Sequence, residues 1–338
     1  MLIVRHYKSA PEQARGAVVV IGNFDGIHRG HQALIAKGRR LAEEFGAPLA
    51  VLTFEPHPRS YFQPDQPPFL LTPFRVKAQL ISALGVDILV VQRFNKAFAS
   101  LTAEEFVADV LAGGLQARHV LVGENFRFGK GRGGDLALLE REGRTHGFGV
   151  TGMTLAGAPG KTGQDKPQEV FSSSLVREYL REGSPTRAAL LLGRYWEIEG
   201  RVQPGARRGR TLGFPTANIA LKKEMLRPAY GVYAVRATLE GQETPHWRPG
   251  VANLGLSPMF NYQEPLLEVF LFDFEGDLYG RNMRVALIDY LRGEMTFDSL
   301  DALKEQMAED SRRARATLAW EDWDAHWPAS PFLTPSQQ

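Results

Sequence analysis

The chain has 338 residues, 43% hydrophobic and 23% charged, the balance of a globular protein long enough for two domains of ordinary size. It contains no cysteine, which excludes disulfides, thiolate metal sites and cysteine nucleophiles. A formal net charge of +2 provides no global field for a nucleic-acid polymer, and no apolar run approaches the roughly 18–20 residues that span a bilayer.

Read in chain order, residues 18–21 (Val-Val-Val-Ile) form a buried-strand run that ends in Gly22, and residues 30–45 then show a helical apolar side of Leu34, Ile35 and Leu41. A second strand is expected at 49–54, a helix at 74–84 and a third strand at 87–91. Thr102-Ala-Glu-Glu105 is a capping-box pattern that opens a helix over 102–111. A strand at 119–122, a helix at 135–144 and a strand at 149–155 follow. This alternation predicts an α/β, Rossmann-like domain with a parallel sheet. Residues 156–169 are a Gly-, Pro- and charge-rich break before two helices at 173–182 and 185–192. From Tyr195 the pattern changes to short β-branched and aromatic runs at 195–202, 230–239, 248–254, 266–274 and 283–290, the signature of an antiparallel β-barrel or sandwich. A helical segment at 299–318 closes it, giving expected domains 1–185 and 186–330. The start of the chain is too short in apolar residues for a signal peptide, so a cytoplasmic location is expected. Small molecules are the expected partners, without nucleic acid or membrane, and the assembly is left as monomer or transient homo-oligomer.

Two segments concentrate polar chemistry. The first is Gly22-Asn23-Phe24-Asp25-Gly26-Ile27-His28-Arg29-Gly30-His31, a tight turn between the first strand and its helix. A helix N-terminus presents unpaired N–H groups to phosphate, and the carboxyl edge of an open α/β sheet is where ligands bind. His28 and His31 share a helix face at i and i+3, and Gly30 lets backbone approach a ligand. The alternative is a corner with two surface histidines.

The second is Gly205-Ala-Arg-Arg-Gly-Arg210-Thr-Leu-Gly213-Phe214-Pro215-Thr216-Ala-Asn218, glycines and arginines before a rigid Phe-Pro. Thr216 and Asn218 are oxygen-bearing residues on one side of an extended chain and suit Mg²⁺–ATP. The alternative is a basic hairpin loop. Downstream, Glu268 stands in an apolar strand, on one face with Phe270, Phe272 and Phe274. A buried carboxylate there serves as a general base, or pairs with Arg284 or Arg292, or guards an edge strand.

The first segment resembles the adenylyltransferase half of bacterial bifunctional riboflavin kinase/FAD synthetases, within the H-x-G-H nucleotidyltransferases. Thr53-Phe54-Glu55-Pro56-His57-Pro58, Gly123-Glu124-Asn125-Phe126-Arg127-Phe128-Gly129 and Ser172-Ser173-Ser174-Leu175-Val176-Arg177 match that half in order. The second segment resembles riboflavin kinases, as do Ala229-Tyr230-Gly231-Val232-Tyr233, Asn253-Leu254-Gly255 and Asp277-Leu278-Tyr279-Gly280. The resemblance implies two ATP-dependent reactions, riboflavin to FMN and FMN to FAD, with Mg²⁺. It implies His28 and His31 as catalytic, with ATP or phosphate at Gly22, Asn23, Phe24, Asp25, Gly30, Ser172, Ser173, Ser174 and Arg177. Flavin is implied at Phe54, His57, Asn125, Phe126 and Phe128. In the barrel it implies Glu268 as the base, ATP and flavin at Gly205, Arg210, Gly213, Phe214, Pro215, Thr216 and Asn218, and the metal on Thr216 and Asn218. Pro258-Met259-Phe260 departs from the Pro-Thr-Phe common at that point.

Overall fold

Continuous β-branched runs bury both faces and so become central parallel strands. Six strands, β1 (Leu2–Val4), β2 (Val18–Ile21), β3 (Leu49–Glu55), β4 (Ile88–Arg93), β5 (His119–Gly123) and β6 (Gly149–Met153), form one parallel sheet in the order β1-β4-β3-β2-β5-β6. Helices α1 (Arg29–Phe45), α2 (Pro58–Phe62), α3 (Phe74–Ala83), α4 (Lys96–Ala99), α5 (Ala103–Glu105) and α6 (Leu136–His146) occur between the strands. The chain builds outward from β2 to β3 and β4 on one side and to β5 and β6 on the other. The carboxyl end of β2 is therefore the topological switch point, and the turn after it is the Gly22–His31 segment.

This computed structural model describes residues 1–154, 157–158, 169–204, 216–240, 246–256 and 265–319. Gly205, Arg210, Gly213, Phe214 and Pro215, with the Pro258-Met259-Phe260 departure, lie outside the described residues. The chain divides into two compact units, Met1–Pro67 with Thr72–Ser172, and Pro68–Leu71 with the residues from Ser173 onward. The division falls earlier than residue 185 and moves a four-residue stretch into the second unit.

The capping box at Thr102 forms in both directions, Thr102 N–H to Glu105 Oε2 (2.8 Å) and Glu105 N–H to Thr102 Oγ1 (3.1 Å). The helix then widens into a π-helical stretch, Phe106–Gly114, rather than stopping at 111. Its end is shaped by Gly114, where an added Cβ would lie 2.5 Å from the Tyr7 ring.

The second unit opens with α7 (Ser173–Arg181) and α8 (Pro185–Leu192), after a two-residue ribbon in the first unit, β7 (Gly157–Ala158) with β8 (Glu169–Val170). Strands β9 (Glu197–Arg201), β10 (Ala217–Ala220), β11 (Gly231–Leu239), β12 (Arg248–Gly255), β13 (Leu266–Leu271) and β14 (Asn282–Arg292) pair antiparallel in the order β10-β13-β12-β11-β14-β9. Gln203 N–H donates to Asn218 O at 2.8 Å, which brings the chain after β9 onto β10 and nearly closes a barrel. Helix α9 (Leu300–Leu318) buries Ala314 and Leu318 against Val232, Ala234, Phe272 and Ile288 on one outer face. Arg292 anchors the helix on Asp310 (2.7 Å).

The stretch Pro68–Leu71 is stitched into this second unit. Phe69 and Leu70 donate to Glu224 O (3.2 and 3.0 Å), Leu226 donates to Leu70 O (2.9 Å), and Trp196 Nε1 donates to Leu71 O (2.8 Å).

Two candidate active sites

In the first unit, the turn after β2 is built from residues in left-handed backbone, Phe24 (φ 50°), Gly26 (φ 82°) and Ile27 (φ 46°). Non-glycine residues hold such angles only where the surroundings over-determine them. Asp25, 1% exposed, provides that constraint: its Oδ1 accepts from Thr72 N–H (2.9 Å) and Oγ1–H (3.2 Å), and Thr72 Oγ1 accepts from Gly26 N–H (2.9 Å). Thr53 Oγ1 donates to Asn23 O (3.2 Å), and Gly22 N–H donates to Leu52 O (3.1 Å). Phe24 is fully buried with its ring 5.1 Å from His31. The side chains of Phe24 and Asp25, read from the sequence as phosphate contacts, are thus engaged in holding the loop. Thr72, which sequence reasoning missed, is their tether.

His28 is the N-cap of α1, its Nδ1 accepting from His31 N–H at 3.4 Å. An accepting Nδ1 leaves the proton of the neutral ring on Nε2. The two imidazoles stack at 3.7 Å between centroids and 21° between planes, one residue of the pair lying before the helix proper. His31 Nδ1 is buried and lacks a hydrogen-bond partner among the described residues. Burial, then the charges of His28 and Lys77, push its titration well below the ordinary imidazole range. Lys77 itself is 1% exposed on α3, with Nζ 2.7 Å from Glu55 Oε1 at the carboxyl end of β3. Its signal was in the sequence, since Lys77 lies on the same helical stripe as Leu80 and Ile81.

The predicted flavin residues separate. Phe54 and Phe128 are core: Phe54 meets Phe94 edge-on (6.1 Å) and Phe98 (5.7 Å), and Phe128 lies 5.3 Å from Phe106. Phe126 is half-buried and stacks on Phe128 at 5.4 Å and 15°, next to the exposed Asn125. His57 caps α2, accepting from Arg59 N–H (3.1 Å). Ser172 precedes α7, while Ser173 and Ser174 open it. Arg177, buried on α7, donates from Nε to Phe69 O (2.8 Å) within the second unit.

In the barrel, β13 lies between β10 and β12, so Glu268 is on an inner strand and not at an edge. The register sets Asn218 and Asn253 directly opposite Glu268 on its two sides. Opposed residues of an antiparallel ladder project from the same face, so the three side chains stand abreast. That face carries Val251 and Phe270 and is the one α9 partly covers. Among the described residues Glu268 has no hydrogen bond or ion pair; Arg284 pairs with Glu197 (2.6 Å) and Arg292 with Asp310. Burial alone raises the Glu268 carboxyl above its usual range. Asn218 Oδ1 is buried without a partner among the described residues, and Thr216 lies immediately before β10.

A histidine stack at the start of a helix, at the switch point of a parallel sheet, and a carboxylate that, like the amide oxygen beside it, has no partner among the described residues could both serve phosphate chemistry, the class being that of nucleotide-dependent transferases. The family model described as FAD synthetase matches residues 10–162, and the one described as riboflavin kinase matches residues 192–318. The chain belongs to the family of bifunctional riboflavin kinase/FMN adenylyltransferases. It is 39% identical to the member from Escherichia coli (strain K12) over 92% of this chain and 95% of that one. It is 41% identical to the Pseudomonas fluorescens member over 94% and 98% respectively. The crystal structure described as a macrolide-efflux protein from Streptococcus pneumoniae shares the fold, with a TM-score of 0.80 and 29% identity over 95% of this chain and 99% of that one. Among the described residues no helix is long and apolar enough to cross a membrane.

Proposed function

We propose how this chain divides the two reactions of its family between its halves and its residues. The enzyme phosphorylates riboflavin with ATP to give FMN, then transfers the adenylyl group of a second ATP to FMN, giving FAD and pyrophosphate. Phosphorylation is assigned to residues 186–330 and adenylyl transfer to residues 1–185.

The observation that carries the reading is Glu268, a carboxylate on an inner strand with no ion-pair partner among the described residues and a raised affinity for its proton. Such a group accepts the proton of the ribityl primary hydroxyl as that oxygen attacks the γ-phosphorus, and ADP leaves. Thr216 and Asn218 would hold Mg²⁺, and the buried Asn218 Oδ1, without a partner among the described residues, fits a hard, oxygen-seeking cation. When bound, the ion neutralises charge on the ATP phosphates. The arginine- and glycine-rich residues Gly205, Arg210, Gly213, Phe214 and Pro215 are assigned to nucleotide and flavin contact on the resemblance.

Adenylyl transfer needs no base, because the FMN phosphate is already an anion. It attacks the α-phosphorus in line, and catalysis is positioning with charge neutralisation. His28 and His31 serve this at the start of α1, where Gly30 and the helix N–H groups receive phosphate oxygens. The buried Nδ1 of His31, without a hydrogen-bond partner among the described residues, supports that role. Phe126 and Asn125 are the flavin contacts best supported by exposure. The substrates are small molecules, and the protein works in the cytoplasm as a monomer or transient homo-oligomer.

The test is to assay each half-reaction in two variants. Glu268→Gln should abolish FMN formation and spare the conversion of supplied FMN to FAD; His28→Ala should do the reverse. Loss of both activities in either variant would overturn the two-site assignment.

A further inference from the structure

The register of β10, β13 and β12 leaves one polar side chain of the barrel face without a task. Asn253 is directly opposite Glu268 on β12, as Asn218 is on β10. It is half-buried, and like Glu268 it makes no hydrogen bond or ion pair among the described residues. On its own face the register sets it opposite Val232 on β11, with Val251 two residues back along β12. A half-buried amide among apolar neighbours is costly to leave unpaired. Cβ atoms opposed across an antiparallel pair lie about 4.5–5.5 Å apart, so an amide N–H and a carboxylate oxygen reach each other without backbone movement.

The charges around Glu268 are few. Among the described residues β10 faces it with Asn218 and β12 with Asn253, neither ionisable. On β14 and α9, Arg292 and Asp310 neutralise one another. Glu294 also lies near: a Cβ added at Gly255, two residues on from Asn253, would meet both the Glu294 carboxylate and, at 3.8 Å, Asn253 Nδ2. Of the two carboxylates, Glu268 is the one directly across the ladder from Asn253.

We propose that Asn253 is a positioning residue for the phosphorylation of riboflavin: its amide N–H holds one oxygen of the Glu268 carboxylate and turns the other toward the ribityl hydroxyl. That second oxygen takes the hydroxyl proton as the new O–P bond forms and the bond to ADP breaks. The proposal rests on the reading of Glu268 as the base. Two consequences follow from a donated hydrogen bond. It favours the ionised carboxylate, and it fixes the oxygen that faces substrate.

The experiment uses the full chain with Asn253→Ala, Asn253→Asp and Glu268→Gln, measuring kcat and KM for FMN formation from riboflavin and ATP. Conversion of supplied FMN to FAD, which belongs to the other unit, reports the amount of active chain in the same preparation, and thermal unfolding reports whether the barrel is intact. Asn253→Ala should lower kcat about tenfold, with the KM for riboflavin moving less than about twofold. Asn253→Asp, nearly the same shape, should be worse than alanine, because it sets a like charge beside the base. A purely structural asparagine gives the opposite order, aspartate better tolerated than alanine, with activity falling in step with thermal stability, and that result overturns the proposal. Glu268→Gln separates the two levels. Retained phosphorylation in that variant refutes the base itself, whereas its loss alongside Asn253 variants of parental kcat refutes only the positioning role.

Discussion

Substituting Gly30 with alanine tests the histidine stack with the least chemical disturbance. Gly30 is the second residue of α1 and sits under the His28 ring. An added Cβ would lie 3.1 Å from His28 Cε1 and Nδ1 and 3.3 Å from Phe171 Cβ. Carbon atoms rest at about 3.5–4.0 Å, so the imidazole must move by roughly half an ångström. Overpacking costs about 1–3 kcal/mol, and replacing glycine in a helix returns up to about 1 kcal/mol, so the net destabilisation is about 0–3 kcal/mol. The effect on the reaction is larger than on the fold. Misplacement on this scale costs up to about 10²-fold, so FMN adenylylation should fall about 10–100-fold, or roughly 1.4–2.7 kcal/mol in the barrier. The assay follows FAD and pyrophosphate formation from FMN and ATP, with FMN formation from riboflavin on the same sample as the control. Adenylylation within about twofold of the parent would refute the claim that the stack geometry matters; equal loss of both activities would show that the substitution acts through folding.

Three further outcomes follow from burial and pairing. Glu55→Gln should destabilise the first unit more than Lys77→Met, by about 2–4 against about 1 kcal/mol in urea unfolding, because it strands an ammonium 1% exposed whereas the lysine change leaves a carboxylate 28% exposed. Equal costs would contradict that asymmetry. Arg292→Ala should cost about 3 kcal/mol by leaving Asp310, 4% exposed, with Gln306 as its hydrogen-bond partner among the described residues, and the Arg292→Met, Asp310→Leu double variant should recover most of it in thermal unfolding. For Glu268, the folded carboxyl binds its proton more tightly than the unfolded one, so its ionisation destabilises the fold as pH rises above the unfolded value near 4.5. Glu268→Gln should therefore raise Tm at neutral pH relative to the parent, with the gain vanishing below about pH 4; a gain that persists in acid would remove burial of charge as its cause.

The elements legible in the sequence were those with an unbroken period. The runs at β2, β3 and β5 could only be central strands, and the capping box at Thr102 formed as its spacing requires. The strands that escaped were short or embedded. β1 has three residues and takes its identity from pairing with β4, and the four residues of β10 lie at the end of a glycine- and arginine-rich segment that reads as a loop. The π-helical continuation ends on Gly114, which lies close against Tyr7, more than a hundred residues distant in sequence. The sites followed the same logic. His28, His31 and Glu268 stood out by residue type in their local pattern. The tether Thr72 and the neighbour Asn253 did not, since each acquires meaning only through a residue that the fold brings opposite it.

The stitch at Pro68–Leu71 has a consequence for heredity. Carbonyls of Phe69, Leu70 and Leu71 accept from Arg177, Leu226 and Trp196, so the second unit is completed by residues encoded within the first half of the gene. A single recombination event near residue 185 would join that unit to another lineage's version of the stitch. The two catalytic halves can be inherited, exchanged or shortened cleanly only when those four residues travel with the half they complete.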